Sequence, residues 1–254
     1  MKKLFILILI VSTCVVTGRS QAYHYDVNGD GEVTVTDITA IYDYLLGNIP
    51  VEPSVNHDYV DMGLPSGTLW ATMNVGANSP EDYGDYFAWG ETVPKEVYSW
   101  STYQWCNGNF NKLIKYCNNS TYGYNGFTDD LTELELEDDA AYVNWGPEWR
   151  IPSLIQIKEL LNNCTYELTT RNGVSGMLLT SNYNGESLFF PAAGYRSDSS
   201  VNYVGVGGYF MSRTLASYTS YYSYLFYFYS NDLRWNTGDR FFGKSVRAVR
   251  VSQK

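Results

Sequence analysis

Residues 151–164 read IPSLIQIKELLNNC, and the layout of the chain follows from them in both directions. Ser153 precedes Gln156 by three positions, the spacing of a capping box in which each side chain serves the other's backbone N–H. Leu154, Ile157, Leu160, Leu161 and Cys164 fall on one face at the helical period, so a helix is predicted over Ile151–Cys164. A shorter one is predicted just upstream, over Glu137–Asn144, where carboxylates sit at the positive end of the helix dipole. Downstream, strands are predicted near Gly176–Thr180, Ser187–Pro191, Gly208–Arg213, Tyr221–Ser230 and Gly243–Val251. Two helices followed by a strand-rich half define the α+β class.

Working back toward the amino terminus, HDYVDMGLPSGTLWATMNVGA from His57 predicts a hairpin. Its strands are Tyr59–Met62 and Leu69–Asn74, joined by the turn Leu64-Pro65-Ser66-Gly67. Ser79–Glu91 predicts a short helix capped by Ser79 and begun at Pro80. Tyr98–Glu137 has no sustained period and carries Trp100, Trp105 and Phe110, which predicts long ordered loops. The eight residues Ile49–Asn56, IPVEPSVN, contain two prolines and read as a linker (49–56), so one large domain spans 57–254.

Composition narrows the function classes. The 254 residues include 7 Trp, 24 Tyr and 11 Phe, more aromatic surface than a core of this size needs, and 22 Gly that suit many short strands. Lys plus Arg is 17 against 27 Asp plus Glu, a formal charge of -10 with no basic stripe, so no nucleic-acid partner is expected. Both histidines, His24 and His57, lie early in the chain, which removes most histidine-dependent catalysis.

Lys2 and Lys3 precede the apolar run Leu4–Val11, and Ser20, Gln21 and Ala22 follow as a cleavage site. A signal peptide over 1–22 and export to the medium or the cell surface are therefore expected. Cys14 offers the alternative of a lipidated cysteine, with Thr13 a poor neighbour for that processing. No later stretch reaches the roughly 18 apolar residues of a membrane helix. Cys106, Cys117 and Cys164 remain after cleavage, allowing at most one disulfide of unassigned pairing.

From Asp26 the chain reads DVNGDGEVTVTD. Asp26, Asn28 and Asp30 stand at loop positions one, three and five, Gly31 at six and Asp37 at twelve, with Glu32 at seven offering its carbonyl. Ca2+ is a hard cation that takes six to eight oxygens, and a tight loop of alternating oxygen donors supplies them. A helix should follow, with Ile38, Ile41, Tyr42, Leu45 and Leu46 on one face and a stop at Gly47. The stretch Tyr25–Asn48 resembles one repeat of a type I dockerin, an EF-hand-like calcium module here given residues 23–48. The resemblance implies a cohesin partner, although dockerins carry two repeats and no second loop is found. A lone repeat also suits a calcium-stiffened spacer.

The large domain resembles the Fibrobacter succinogenes major paralogous domain. The resemblance is carried by VDMGLPSGTLWATMNVGA (60–77), PEDYGDYFAWGET (80–92), DDAAYVNWGPEWRIPS (138–153), LFFPAAGYR (188–196) and GKSVRAVR (243–250). Through WRIPS and the Gly-Lys-Ser-Val-Arg ending it is similar to C-type-lectin-like folds, a group that includes the formylglycine-generating enzymes. This implies an α+β domain whose two ends pair in one sheet, with a loop-built ligand face. The cysteine pair that formylglycine chemistry uses late in the fold has no counterpart after Cys164.

The chain is therefore expected to be a non-catalytic binding protein for glycan or protein ligands. The tyrosines 203, 209, 218, 221, 222, 224, 227 and 229 are interleaved with Ser, Thr, Asn and Gly, a paratope-like composition in which rigid amphipathic rings make contacts at small entropic cost. Half of the run Tyr221–Tyr229 must face a core. Residues near the expected strand ends are the candidates for the ligand face: Tyr218, Tyr221, Asn231, Asp232, Arg234, Trp235, Asn236 and Asp239. The same residue types suit a receptor or adhesin diversified by a retroelement, as occurs in some C-type-lectin-like proteins. The other alternative is a glycoside hydrolase using carboxylates among Asp129, Asp130, Glu133, Glu135, Glu137, Asp138 and Asp139, a cluster that equally reads as a solvated acidic face.

Overall fold

In the computed structural model, which describes residues 57–251, the capping box forms as its spacing demands. Ser153 N donates to Gln156 Oε1 at 2.9 Å and Gln156 N to Ser153 Oγ at 3.3 Å, starting a helix over Leu154–Asn162 that buries Ile157 and Leu160. A one-and-a-half-turn helix, α1 (Ala140–Trp145), precedes this α2. Asp139 caps α1 by accepting from Ala141 N and Tyr142 N. The described residues belong to Asn56–Lys254, one of two units into which the chain divides. The other unit, Met1–Val55, lies outside the described residues, and with it the expected signal peptide, calcium loop and linker.

The predicted hairpin is present as β1 (Tyr59–Asp61) and β2 (Thr68–Ala71), paired antiparallel. On its other side β2 pairs antiparallel with β13 (Val249–Val251), so the two ends of the described chain share one sheet. Arg247 fastens this junction from inside. It is fully buried, and its guanidinium bonds Asn74 Oδ1 at 2.9 Å and Thr72 O at 3.1 Å.

β3 (Tyr86–Phe87), β9 (Gly207–Leu215), β10 (Tyr222–Tyr229), β11 (Asp232–Asp239) and β12 (Lys244–Ser245) form a five-stranded sheet in the order β11-β10-β9-β12-β3. β4 (Cys164–Arg171), β5 (Val174–Ser181) and β6 (Ser187–Pro191) form an antiparallel three-stranded sheet, and β7 (Tyr195–Ser197) pairs with β8 (Ser200–Asn202). Trp70, Phe190, Phe210, Phe226 and Phe228 join α2 in one core cluster. Phe87, Trp89, Trp149 and Met211 join α1 in a second.

The described residues are thus mostly β-sheet with few helices. The helix expected over Ser79–Glu91 is absent, and turns leading into β3 take its place. Here the backbone bonds across the fold rather than along itself: Asp85 N donates to Val75 O at 2.9 Å, and Tyr83 O accepts from Asn74 Nδ2. Gly84, at φ +69°, makes the bend, and a Cβ there would lie 2.5 Å from Val75 O. The strand expected over Gly243–Val251 is divided into β12 and β13, because Val246–Ala248 carries the chain from the five-stranded sheet to the terminal one. On the way Val246 O accepts from Val75 N and Ala248 O from Ala71 N. β4 and β11 were not anticipated. Tyr98–Glu137 is loop built on turns and isolated bridges, as expected, with single 3-10 turns at Tyr124–Gly126 and Leu136–Asp138.

Candidate functional site

The pleat of the β10–β11 hairpin decides where the candidate ligand residues point. Successive side chains leave a strand on opposite faces. Tyr227 pairs with Arg234 on one side and Tyr209 on the other, whereas Phe226 pairs with Trp235 and Phe210. Arg234 and Trp235 therefore lie on opposite faces of the sheet. The eight candidates do not form one surface: Tyr221, Asn231, Asp232 and Asp239 lie at or beside strand ends as expected, whereas Arg234, Trp235 and Asn236 occupy the middle of β11.

Trp235 lies on the α2 side, with Lys158 Nζ 4.2 Å from its ring centre and Tyr224 at 5.9 Å. Tyr218 joins that side through a hydroxyl contact with Thr237 Oγ1. Tyr221 is half-buried in a separate cluster, against Phe110 at 5.2 Å and Tyr122 at 4.9 Å. Asn231 is exposed at the hairpin tip, and Asn236 is exposed with its Oδ1 accepting from Thr237 N. Asp239 ends β11, and its carbonyl accepts from Lys244 Nζ at 2.6 Å.

On the opposite face Asp232 and Arg234 pair at 2.6 Å beside a surface of tyrosines. Tyr209 and Tyr227 stack at 5.6 Å and 9°, Tyr195 meets Tyr209 at 4.9 Å, and Tyr203 meets Tyr195 at 5.9 Å and Tyr229 at 5.5 Å. Tyr203 and Tyr229 are the most open, 48% and 42% exposed. Tyr203 is held in the left-handed region at φ +61°, where a bulky side chain is strained, by Val206 N and Gly207 N donating to its carbonyl at 3.1 and 3.0 Å. Burial and the neighbouring phenols push the Tyr209 hydroxyl up to about 12, so it stays protonated and able to donate at physiological pH. The core tyrosines Tyr86, Tyr98 and Tyr103 each donate to a backbone carbonyl. Among the described residues the hydroxyls of Tyr195, Tyr203, Tyr209, Tyr227 and Tyr229 have no such partner. Four of these five lie in the tyrosine-rich run; the period-2 register of β9 and β10 is the signal that gathers Tyr209, Tyr227 and Tyr229, and the turn before β9 brings Tyr203 to them. Tyr195 arrives from β7, beyond the reach of local pattern.

The acidic cluster is largely committed to structure. Asp129 accepts from Tyr116 N at 2.6 Å and Cys117 N at 2.9 Å, and Glu133 bonds Arg213 Nε at 2.8 Å. Lys115 bridges Glu135 and Asp138 at 2.6 and 2.7 Å. Asp139, fully buried, caps α1 and also accepts from Ile151 N. Desolvation is the larger influence on its carboxyl and pushes the pKa up, against the pull of these N–H donors. Cys106, Cys117 and Cys164 are buried free thiols that form no disulfide with one another, with burial pushing the Cys164 thiol up to about 11.

Asp26, Asn28, Asp30, Glu32 and Asp37 lie outside the described residues. Among the described residues no group of three or more His, Cys, Asp and Glu side chains is placed to hold a metal ion, and no helix is long and apolar enough to cross a membrane. The type I dockerin domain family matches residues 24–63. That span contains the whole Asp26–Asp37 loop, crosses the prolines at 50 and 53, and ends at Gly63, just after β1. Type I dockerins are calcium-binding extracellular modules that bind cohesins. No curated protein and no solved structure matches the chain.

Proposed function

We propose that the chain is an exported, cell-surface recognition protein without catalytic activity. In this reading its large unit, an α+β domain of C-type-lectin-like layout, binds glycans through the face made by Tyr195, Tyr203, Tyr209, Tyr227 and Tyr229. The observation that carries the reading is this gathering of phenol rings, with two of them open to solvent and the hydroxyls left for a ligand. Rings of this kind offer apolar contact to a sugar ring and hydrogen bonds to its hydroxyls, a combination that gives affinity without chemistry. The bonding of Asp129, Glu133, Asp138 and Asp139 into turns, ion pairs and a helix cap supports a non-catalytic role.

The dockerin match supports calcium at the amino-terminal loop and an extracellular location. Asp26, Asn28, Asp30 and Asp37 would hold Ca2+ through side-chain oxygens and Glu32 through its carbonyl, a donor set that suits a hard cation. Bound there, the ion supplies charge balance and stiffness to the loop, and a cohesin is the partner this module suggests.

The test is retention of the full chain on an array of glycans, with and without a chelator, scoring bound ligand and released sugar. Tyr203→Ala and Tyr229→Ala should each weaken a retained glycan about 5- to 10-fold, the effect of losing ~1 kcal/mol of ring contact. Sugar released by the wild-type chain would sink the non-catalytic reading.

A further inference from the structure

Beside the tyrosine face, at the end of the five-stranded sheet, a cleft of about 320 Å³ opens between β4 and the turn that leads into β9. Leu168 and Val206 are its open apolar walls, with the fully buried Phe228 behind them, and Thr170, Ser175 and Ser230 supply hydroxyls; no charged side chain lines it. Leu168 and Val206 are 45% and 49% exposed, so apolar surface at its mouth is left in water. β4 is the outer strand of its sheet, and among the described residues no further strand closes this side.

Two cleft segments continue directly into the tyrosine face. The turn that strains Tyr203 supplies Gly205 and Val206, and Ser230, itself at φ +52°, follows Tyr229. Phe228 and Tyr229 point to opposite faces of β10, so cleft and tyrosines meet around the end of the sheet. The occupant must then be small, extend from a ligand lying on the tyrosines, and combine an apolar group with neutral hydrogen-bonding groups. A carboxylate, sulfate or amine entering there would lose water with no opposite charge to replace it. A plain hexose would leave the apolar walls without a partner.

Resting on the glycan reading above, we infer that this cleft holds an N-acetylhexosamine residue, its acetamido methyl against Leu168 and Val206 and its amide among the Thr170, Ser175 and Ser230 hydroxyls. The probes are N,N′-diacetylchitobiose and cellobiose, titrated calorimetrically into the full chain. The acetylated disaccharide should bind about ten-fold tighter. Val206→Trp, on an exposed turn, should fill the cleft and erase that preference. Thr170→Glu, on the exposed edge strand, should do the same by placing an unpaired charge at the wall. Equal binding of the two sugars by the wild-type chain, or a preference that survives both substitutions, overturns the cleft assignment and leaves the tyrosine face standing. Absence of binding by either sugar, together with full glycan retention by Tyr229→Ala, overturns both.

Discussion

Lys244 stands in the GKSVRAVR stretch, where nothing in the spacing marks it as different from a surface lysine. In the fold it is 2% exposed, and burial pulls its ammonium down to about 7, with Asp239 acting in the opposite direction. In the unfolded chain a lysine holds its proton to about 10.4. Between those values the unfolded state binds more protons than the folded one, so stability rises with pH across that window. A thiol sets the upper limit first, because burial pushes Cys164 up to about 11, so above about 8.5 the unfolded chain loses a proton that the fold retains. Tyr86 and Tyr209 are pushed up to about 12 by burial, so above about 10 the unfolded chain loses protons that the fold retains, and stability falls again. The urea midpoint should therefore climb from pH 7 to about 8.5, by roughly 1–2 kcal/mol in stability, and the climb should vanish in Lys244→Met. A wild-type midpoint flat across this range would show that the amine is not buried as described. Buried charge is illegible in sequence because its partners come from distant segments. Arg240 illustrates this, meeting the Tyr103 hydroxyl, Tyr116 O and Ser220 O, all far from it along the chain.

Among the elements, what local chemistry specifies was readable, and what pairing specifies was not. α2 was legible because Ser153 and Gln156 close the cap within one turn; Ser153→Ala should cost about 1 kcal/mol in thermal or urea unfolding. The β1–β2 hairpin was legible through its Pro-Ser-Gly turn. β11, with sequence DLRWNTGD, contains Asp, Asn and Gly that strands avoid, and its strand conformation comes from pairing with all of β10. Missing that strand put candidates from two faces on one expected surface, since only the register tells which of Arg234 and Trp235 faces which way. The same register makes a contrast within one hairpin. Phe226→Ala empties a core position among Phe190, Phe210 and Phe228 and should cost about 3–5 kcal/mol. Arg234→Ala, across the sheet from it and paired only with Asp232 at the surface, should change stability by less than about 0.5 kcal/mol. Unfolding curves that give the two substitutions similar costs would contradict the assigned faces.

For the whole molecule the question is whether the proposed calcium loop and the proposed ligand face act together. The oxygens proposed to hold Ca2+ lie in the dodecapeptide Asp26–Asp37, inside the dockerin match, and among the described residues no comparable group is placed to hold a metal. The tyrosine face and its cleft are built entirely from residues 168–230, whose packing is supplied by β4–β6 and β9–β11. Two independent ledgers of stability are then expected. Calcium should stabilise its own module by about 2.7 kcal/mol at a hundred-fold excess over its dissociation constant, and Asp30→Ala should abolish the heat of calcium binding. The large unit should melt at the same temperature with calcium or with chelator, and glycan retention should survive both the chelator and Asp30→Ala. Calorimetric scans of the full chain under the two conditions, run beside retention on the same glycan, check this directly. If retention and the main melting transition both fall with the chelator, calcium is working beyond its loop. The recognition face would then depend on an ion whose ligands lie more than a hundred residues upstream of every tyrosine that forms it.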